Sequence, residues 1–232
     1  MIQKILLLMG LVTSLFGIQN MTAQVVSQDW ANLNQFKEAN AQVNMETPDE
    51  NRVVFMGNSI TIGWGNARPE FFKDKPYINR GISGQTTPQM LIRFRQDVIT
   101  LKPKVVVILA GTNDIAGNTG PSTIEMIIDN IKNMAELAHS NGIKVILSST
   151  LPVYDYPWKP GLEPAQKIIT LNKLIKAYTK EKGHIYLDYF TPMADERNGL
   201  PTKYAEDEVH PTVAGYKVME PLVEAAITKA LE

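Results

Sequence analysis

Cysteine is absent from all 232 residues. Disulfides, zinc–thiolate sites, iron–sulfur clusters and thiol nucleophiles are excluded with it. Histidine is scarce, at three residues, and the three stand too far apart in sequence to show metal-ligand spacing. Neither sign of charge prevails: 23 Lys+Arg face 24 Asp+Glu, a formal net charge of −1. A nucleic-acid binder needs a basic face to meet phosphates, so no nucleic-acid partner is expected. No phosphate-loop or H-E-x-x-H motif occurs. Gly63-Trp64-Gly65-Asn66-Ala67-Arg68 misses the third glycine of a dinucleotide fingerprint. Neither a cofactor nor a metal is therefore expected. Long hydrophobic runs are missing as well. The stretch from Ile5 to Ile18 falls short of the roughly 20 residues that span a bilayer.

That short apolar stretch has another meaning. Lys4 is the only charge in residues 1–23, and Asn20-Met21-Thr22-Ala23 ends the segment on a small residue. One positive charge, a short apolar run and a small residue at the cut describe a secretory signal. The expectation is a signal peptide over residues 1–23 and a single domain over 24–232, periplasmic or secreted. No cysteine lies near the cut for lipid attachment, and no stable membrane insertion is expected after cleavage. The rest of the chain is ordinary globular material, 44% hydrophobic and 20% charged overall, and long enough for a sizeable core.

Strand and helix patterns alternate. Val53–Met56, Tyr77–Asn79, Val105–Ala110, Ile143–Leu147 and Ile185–Leu187 read as five strands. Thr87-Pro88 starts a helix carried by Leu91, Phe94 and Val98. Ser122 and Glu125 have capping-box spacing ahead of Ile127, Ile128, Ile131 and Met134, and Asn141-Gly142 stops that helix. Ile168, Leu171 and Ile175 mark another face. Pro211 opens a last helix through Val218, Leu222 and Ile227. Trp30, Leu33 and Phe36 suggest a packed leading helix. Such alternation predicts an α/β fold, a parallel sheet with helices on both faces. Function in such sheets gathers beyond the carboxyl ends of the strands. Three segments that follow strands combine glycine with small polar groups: Gly57-Asn58-Ser59, Gly81-Ile82-Ser83-Gly84 and Gly111-Thr112-Asn113-Asp114.

Ser59 suits a nucleophile if a base can take its proton and a third group can orient the base. His139 near a helix end reads as a surface residue, and His184 at a strand start as a structural one. His210 lies in Asp207-Glu208-Val209-His210-Pro211. A carboxylate three residues before an imidazole can reach Nδ1–H and leave Nε2 facing the serine. Glu206 and Glu208 are the alternatives to Asp207, with less apt spacing. Three donors could meet a developing oxyanion: the Ser59 N–H, the Gly84 N–H and the Asn113 amide. Gly84 could equally be a turn glycine, and Asn113 a turn or cap residue. Gly57-Asn58-Ser59-Ile60-Thr61 lacks the second glycine of a G-x-S-x-G elbow.

The four blocks in this order resemble the SGNH hydrolases, the GDSL esterase/lipase superfamily. Gly57-Asn58-Ser59-Ile60 resembles the nucleophile block, Asn79-Arg80-Gly81-Ile82-Ser83-Gly84-Gln85-Thr86 the glycine block, Gly111-Thr112-Asn113-Asp114 the asparagine block, and Asp207 to Pro211 the closing D-x-x-H block. The resemblance implies a three-layer α/β/α, flavodoxin-like fold with a five-stranded parallel sheet. It implies serine esterase chemistry through an acyl-enzyme, with Ser59, His210 and Asp207 as triad and Ser59, Gly84 and Asn113 as oxyanion donors. One departure stands out: the usual G-D-S reads Gly57-Asn58-Ser59, without a carboxylate beside the nucleophile.

Substrate expectations are coarser. Tyr154, Tyr156 and Trp158 follow the fourth strand and either stack on a sugar ring or anchor their own loop. Trp64 either walls the pocket or packs in the core. The connections contain no long apolar lid, which favours short acyl groups. The leading expectation is a serine esterase that hydrolyses short-chain acyl esters, acetyl foremost, on carbohydrate, with a small-molecule or glycan ester as its partner. The alternatives are an acylhydrolase on lysophospholipid or platelet-activating-factor-like esters and, in another class, a non-catalytic carbohydrate-binding module.

Overall fold

Five short runs rich in Val, Ile and Leu pair into one parallel sheet in the computed structural model, which describes residues 29–45 and 51–232. The expected signal segment, residues 1–23, lies outside the described residues. The strands are β1 Val53–Gly57, β2 Tyr77–Gly81, β3 Val105–Ile108, β4 Lys144–Ser148 and β5 Ile185–Leu187. Their order is β2-β1-β3-β4-β5, the flavodoxin-like arrangement. Val53 lies opposite Tyr77 on one side and Val105 on the other. Every residue of β1 and β3 is buried, because helices cover both faces of the sheet.

The two faces are separated by the period-2 alternation of strand side chains. Val54, Met56, Val106, Ile108, Val145 and Leu147 join one core. It packs against α4 (Thr87–Asp97), α6 (Ile124–Ser140) and α7 (Pro164–Lys182). Val53, Phe55, Val105, Val107, Ile146 and Leu187 join the other, against α2 (Ser59–Ala67), α3 (Pro69–Phe72), α8 (Phe190–Met193) and α9 (Val213–Leu231). The result is three layers, α/β/α. Two further helices, α1 (Lys37–Met45) and α5 (Thr112–Ile115), and a 3-10 turn over Ile99–Leu101 complete the described elements. Among the described residues no helix is long and apolar enough to cross a membrane.

Several boundaries differ from the sequence reading. The β3 ladder ends at Ile108, although Leu109 and Ala110 remain buried and Leu109 N–H still reaches the Met56 carbonyl at 3.0 Å. The cap of α6 is Thr123, whose hydroxyl accepts from Met126 N–H, rather than Ser122. The cap of α4 is Thr86, because Thr87 is drawn to the carboxylate of Asp114. α6 stops where expected: Gly142 takes φ +73, and the N–H groups of Gly142 and Ile143 satisfy the carbonyls of His139 and Ala138. That closure occupies Ile143, so β4 begins one residue later. The leading helix starts only at Lys37; Trp30 and Leu33 precede it and are exposed. Phe36 does pack, under the guanidinium of Arg80 at 4.7 Å.

The strand order reverses direction at β1, whose two neighbours are β2 and β3. The crevice beyond the carboxyl ends of these strands is the natural ligand position in such a sheet.

Candidate active site

Close backbone approach shapes the site first. At Gly57 a Cβ would fall 2.0 Å from Thr61 Oγ1, and at Gly81 it would fall 2.2 Å from the backbone N of Ile62. Only glycine lets α2 begin this tightly against the ends of β1 and β2. Asn58 caps α2: its Oδ1 accepts from Ile60 N–H at 3.0 Å. The cap therefore survives the change from Asp to Asn. The side chain is buried, however, and its Nδ2 meets no acceptor. Ser59 is the first residue of α2, half-buried at the crevice, where the positive end of the helix faces it.

His210 comes from the other end of the chain, 151 positions away, yet its Nε2 lies 2.9 Å from Ser59 Oγ. The turn before α9 makes the meeting possible. Asp207 Oδ1 accepts the N–H groups of Val209 at 3.0 Å and His210 at 2.7 Å, and Oδ2 lies 2.7 Å from His210 Nδ1. Glu208 takes the left-handed φ of +59 that folds this turn and sends its own carboxylate to Arg197 at 3.2 Å. Of the acidic residues considered, Asp207 is the one on the ring. An ionised carboxylate can only accept, so Nδ1 carries the proton and Nε2 is free to accept from the serine hydroxyl. Partial burial would raise the Asp207 pKa, but the His210 N–H, the His210 ring and the Val209 N–H outweigh it and hold the carboxyl below its ordinary value.

The other two expected donors, Gly84 and Asn113, follow the ends of β2 and β3. Gly84 has φ +75 and is exposed at the rim, with its carbonyl held by Asn118 Nδ2 at 3.1 Å. Among the described residues neither the Ser59 N–H nor the Gly84 N–H meets a protein acceptor. Asn113 is buried and donates one amide hydrogen to the Gln85 carbonyl at 2.9 Å. Its second amide hydrogen is the one available to a ligand. Asn113 is set by Gly111, whose φ of +107 bends the chain from β3 into α5; a Cβ there would sit 2.6 Å from Leu171 Cδ2.

Asp114, in the sequence no more than the last residue of its block, has a structural task. It is buried and accepts from Thr87 N–H at 3.0 Å and Thr87 Oγ1 at 2.6 Å, pinning the start of α4 beside the glycine block. Burial pushes its pKa up to about 6 despite the Thr87 bonds. Its signal in the sequence is a lone carboxylate closing the small polar turn Gly111-Thr112-Asn113 that follows an apolar strand.

The aromatic expectations divide. Trp64 does not wall the crevice. It is 2% exposed and sandwiched between Phe71 at 4.9 Å and Tyr216 at 5.5 Å, both nearly parallel to it. Tyr156 is also no surface contact: it is fully buried, with its hydroxyl against the Thr112 carbonyl at 2.8 Å. It anchors the loop and supports Trp158, whose ring centroid lies 5.3 Å away. Trp158 is 48% exposed, and its ring centroid is 6.0 Å from that of His210. Tyr154 is exposed too, but the Arg197 guanidinium occupies one face at 4.9 Å. His139 and His184 lie 5.7 Å apart at the opposite end of the sheet. Among the described residues no group of three or more His, Cys, Asp or Glu could hold a metal ion.

Comparison with known proteins adds the following. The family model for GDSL-like lipase/acylhydrolase matches residues 55–218. A candidate acylhydrolase from Bacteroides fragilis is 49% identical, with TM-score 0.86, covering 88% of this chain and 100% of that one. A GDSL-like lipase from Bacteroides thetaiotaomicron is 48% identical, with TM-score 0.84, covering 87% of this chain and 100% of that one. An acetylxylan esterase from Xylanibacter ruminicola is 26% identical over 216 residues, 77% of this chain and 43% of that protein. The chain spans only 33% and 43% of the length of the curated relatives it matches.

Proposed function

The chain belongs to the GDSL-like lipase/acylhydrolase family, and from that premise we propose that it is a serine esterase removing short acyl groups, acetyl foremost, from carbohydrate. The observation that carries the reading is the continuous line from Asp207 through His210 to Ser59, with contacts of 2.7 and 2.9 Å. A serine paired in this way is a nucleophile with a base in place.

The chemistry follows from the geometry. His210 Nε2 takes the proton from Ser59 Oγ as Oγ attacks the ester carbonyl. Asp207 holds the ring and stabilises the imidazolium. The oxyanion accepts from the N–H groups of Ser59 and Gly84 and from the Asn113 amide. Collapse expels the alcohol with the proton from His210. Water then loses a proton to the same nitrogen and attacks the acyl-enzyme; collapse releases the acid as His210 returns that proton to Ser59 Oγ.

Carbohydrate as the alcohol rests on two supports. Trp158 offers an exposed ring close to the base, suited to the apolar face of a sugar. A sequence relative aligned to 77% of this chain is an acetylxylan esterase. Export belongs to the same proposal and rests on residues 1–23; N-terminal sequencing of the periplasmic or secreted protein should start at Gln24.

The test is acetate release from acetylated xylo-oligosaccharides, beside a series of aryl esters of increasing acyl length. Release should occur with the wild type and vanish with a folded Ser59→Ala variant, and kcat/KM should fall beyond propionyl. Rising kcat/KM with acyl length would instead indicate a lipid ester. A wild type that releases nothing and takes no fluorophosphonate label at Ser59 would indicate a binding module.

A further inference from the structure

We propose that Arg93 is a positioning residue that holds all three oxyanion donors in register. The inference rests on the assignment of Ser59, Gly84 and Asn113 made above. Arg93 lies on the inner face of α4 and is completely buried. Its Nη2 donates to the Gly57 carbonyl at 3.0 Å and to the Arg80 carbonyl at 2.8 Å. Its Nε donates to Gln85 Oε1, and its Nη1 pairs with Asp97 at 2.9 Å. One guanidinium thus ties the end of β1, the end of β2 and the glycine block.

Two of these ties lie close to donors. Gly57 stands two residues before Ser59. Gln85 follows Gly84 directly, and the Gln85 carbonyl is the acceptor that orients Asn113. Arg93 touches no solvent, so it binds no substrate. Filling the space needs no charge: an apolar side chain would avoid the cost of burying an ion pair. A planar fork with several fixed N–H directions, by contrast, suits the simultaneous fixing of separate carbonyls. Donors that must already be in place when the oxyanion forms are worth most when rigid.

The experiment compares Arg93→Lys and Gln85→Leu, each alone and combined with Asn113→Ala. Rates are expressed per site titrated with a fluorophosphonate, which removes losses due to unfolded protein. Lysine keeps the charge opposite Asp97 but not the fork. Both single variants should lose about ten- to a hundredfold in kcat with KM for an aryl acetate nearly unchanged. Combined with Asn113→Ala, each should lose far less than the product of the single effects, because all act on one set of donors. Wild-type kcat per site in both variants, or fully multiplicative losses, would overturn the inference. If Arg93→Lys does not fold, Gln85→Leu decides by the same criteria. Unchanged kcat in Asn113→Ala would overturn the donor assignment itself, and this inference with it; a loss there with no loss in the other two overturns the positioning role alone.

Discussion

Trp64 lies five residues after Ser59 on the same helix, yet it points into the core. Five residues of α-helix turn a side chain by about 140° from its starting direction, so the two face different sides of α2. Ile60, Ile62 and Trp64 leave no polar stripe on this helix from which its rotation could be read. The catalytic candidates were more legible for a chemical reason. With three histidines in the chain and only one preceded at three residues by an aspartate, few pairings needed weighing. Two substitutions separate these roles. Asn113→Ala should lower kcat on the order of 10²–10³ while the unfolding midpoint moves little, as steady-state kinetics and urea titration will show. Trp64→Ala should do the reverse, costing about 3–5 kcal/mol of stability, with KM of the folded fraction unchanged.

Among the elements, the tightest constraint is the seating of α2 on β2. An alanine at position 81 would press its methyl against the backbone nitrogen of Ile62, and backbone atoms cannot rotate away. Gly81→Ala should therefore cost at least about 1–3 kcal/mol and lower kcat too, since the start of α2 carries Ser59; denaturant midpoints and aryl acetate turnover measure the two. Asp114 gives α4 a pH signature. Its pKa is raised from 3.8 to about 6, so the folded state binds more protons between those values. Stability from this group accordingly falls as pH climbs from about 4 to about 6 and is level above that. Subtracting the stability curve of Asp114→Asn from that of the wild type should expose this slope. The strands and long helices were readable because burial on two faces or one leaves different periods in the sequence. The caps were not, because Thr86 and Thr87, or Ser122 and Thr123, are locally equivalent. A distant carboxylate, Asp114, breaks the tie in the first case.

At the scale of the whole molecule, the strand order explains why segments far apart in sequence share a crevice. β1 sits between β2 and β3, so the three glycine-containing turns leave adjacent strand ends. Strand–helix alternation predicts that the three turns share one edge of the sheet, whereas the flavodoxin-like arrangement is what the family resemblance implies. How the aromatic loop after β4 is disposed did not follow, since it depends on which ring the Thr112 carbonyl captures. Tyr156 is captured and Trp158 is left outside. Trp158→Ala should therefore raise KM for acetylated xylo-oligosaccharides several-fold while kcat/KM for a small aryl acetate stays close to wild type, as parallel kinetics on the two substrates will reveal.

Asp207 and His210 are three residues apart on a single turn, whereas Ser59 is 151 positions from the imidazole. Of the two links, one is local and one depends on α2 and α9, remote in sequence but neighbours on one face of the sheet, staying docked. Gentle heating that loosens α9 from α2 should therefore silence hydrolysis while the carboxylate still clasps its ring. Cooling should restore it without covalent repair, because the chain holds no thiols to scramble.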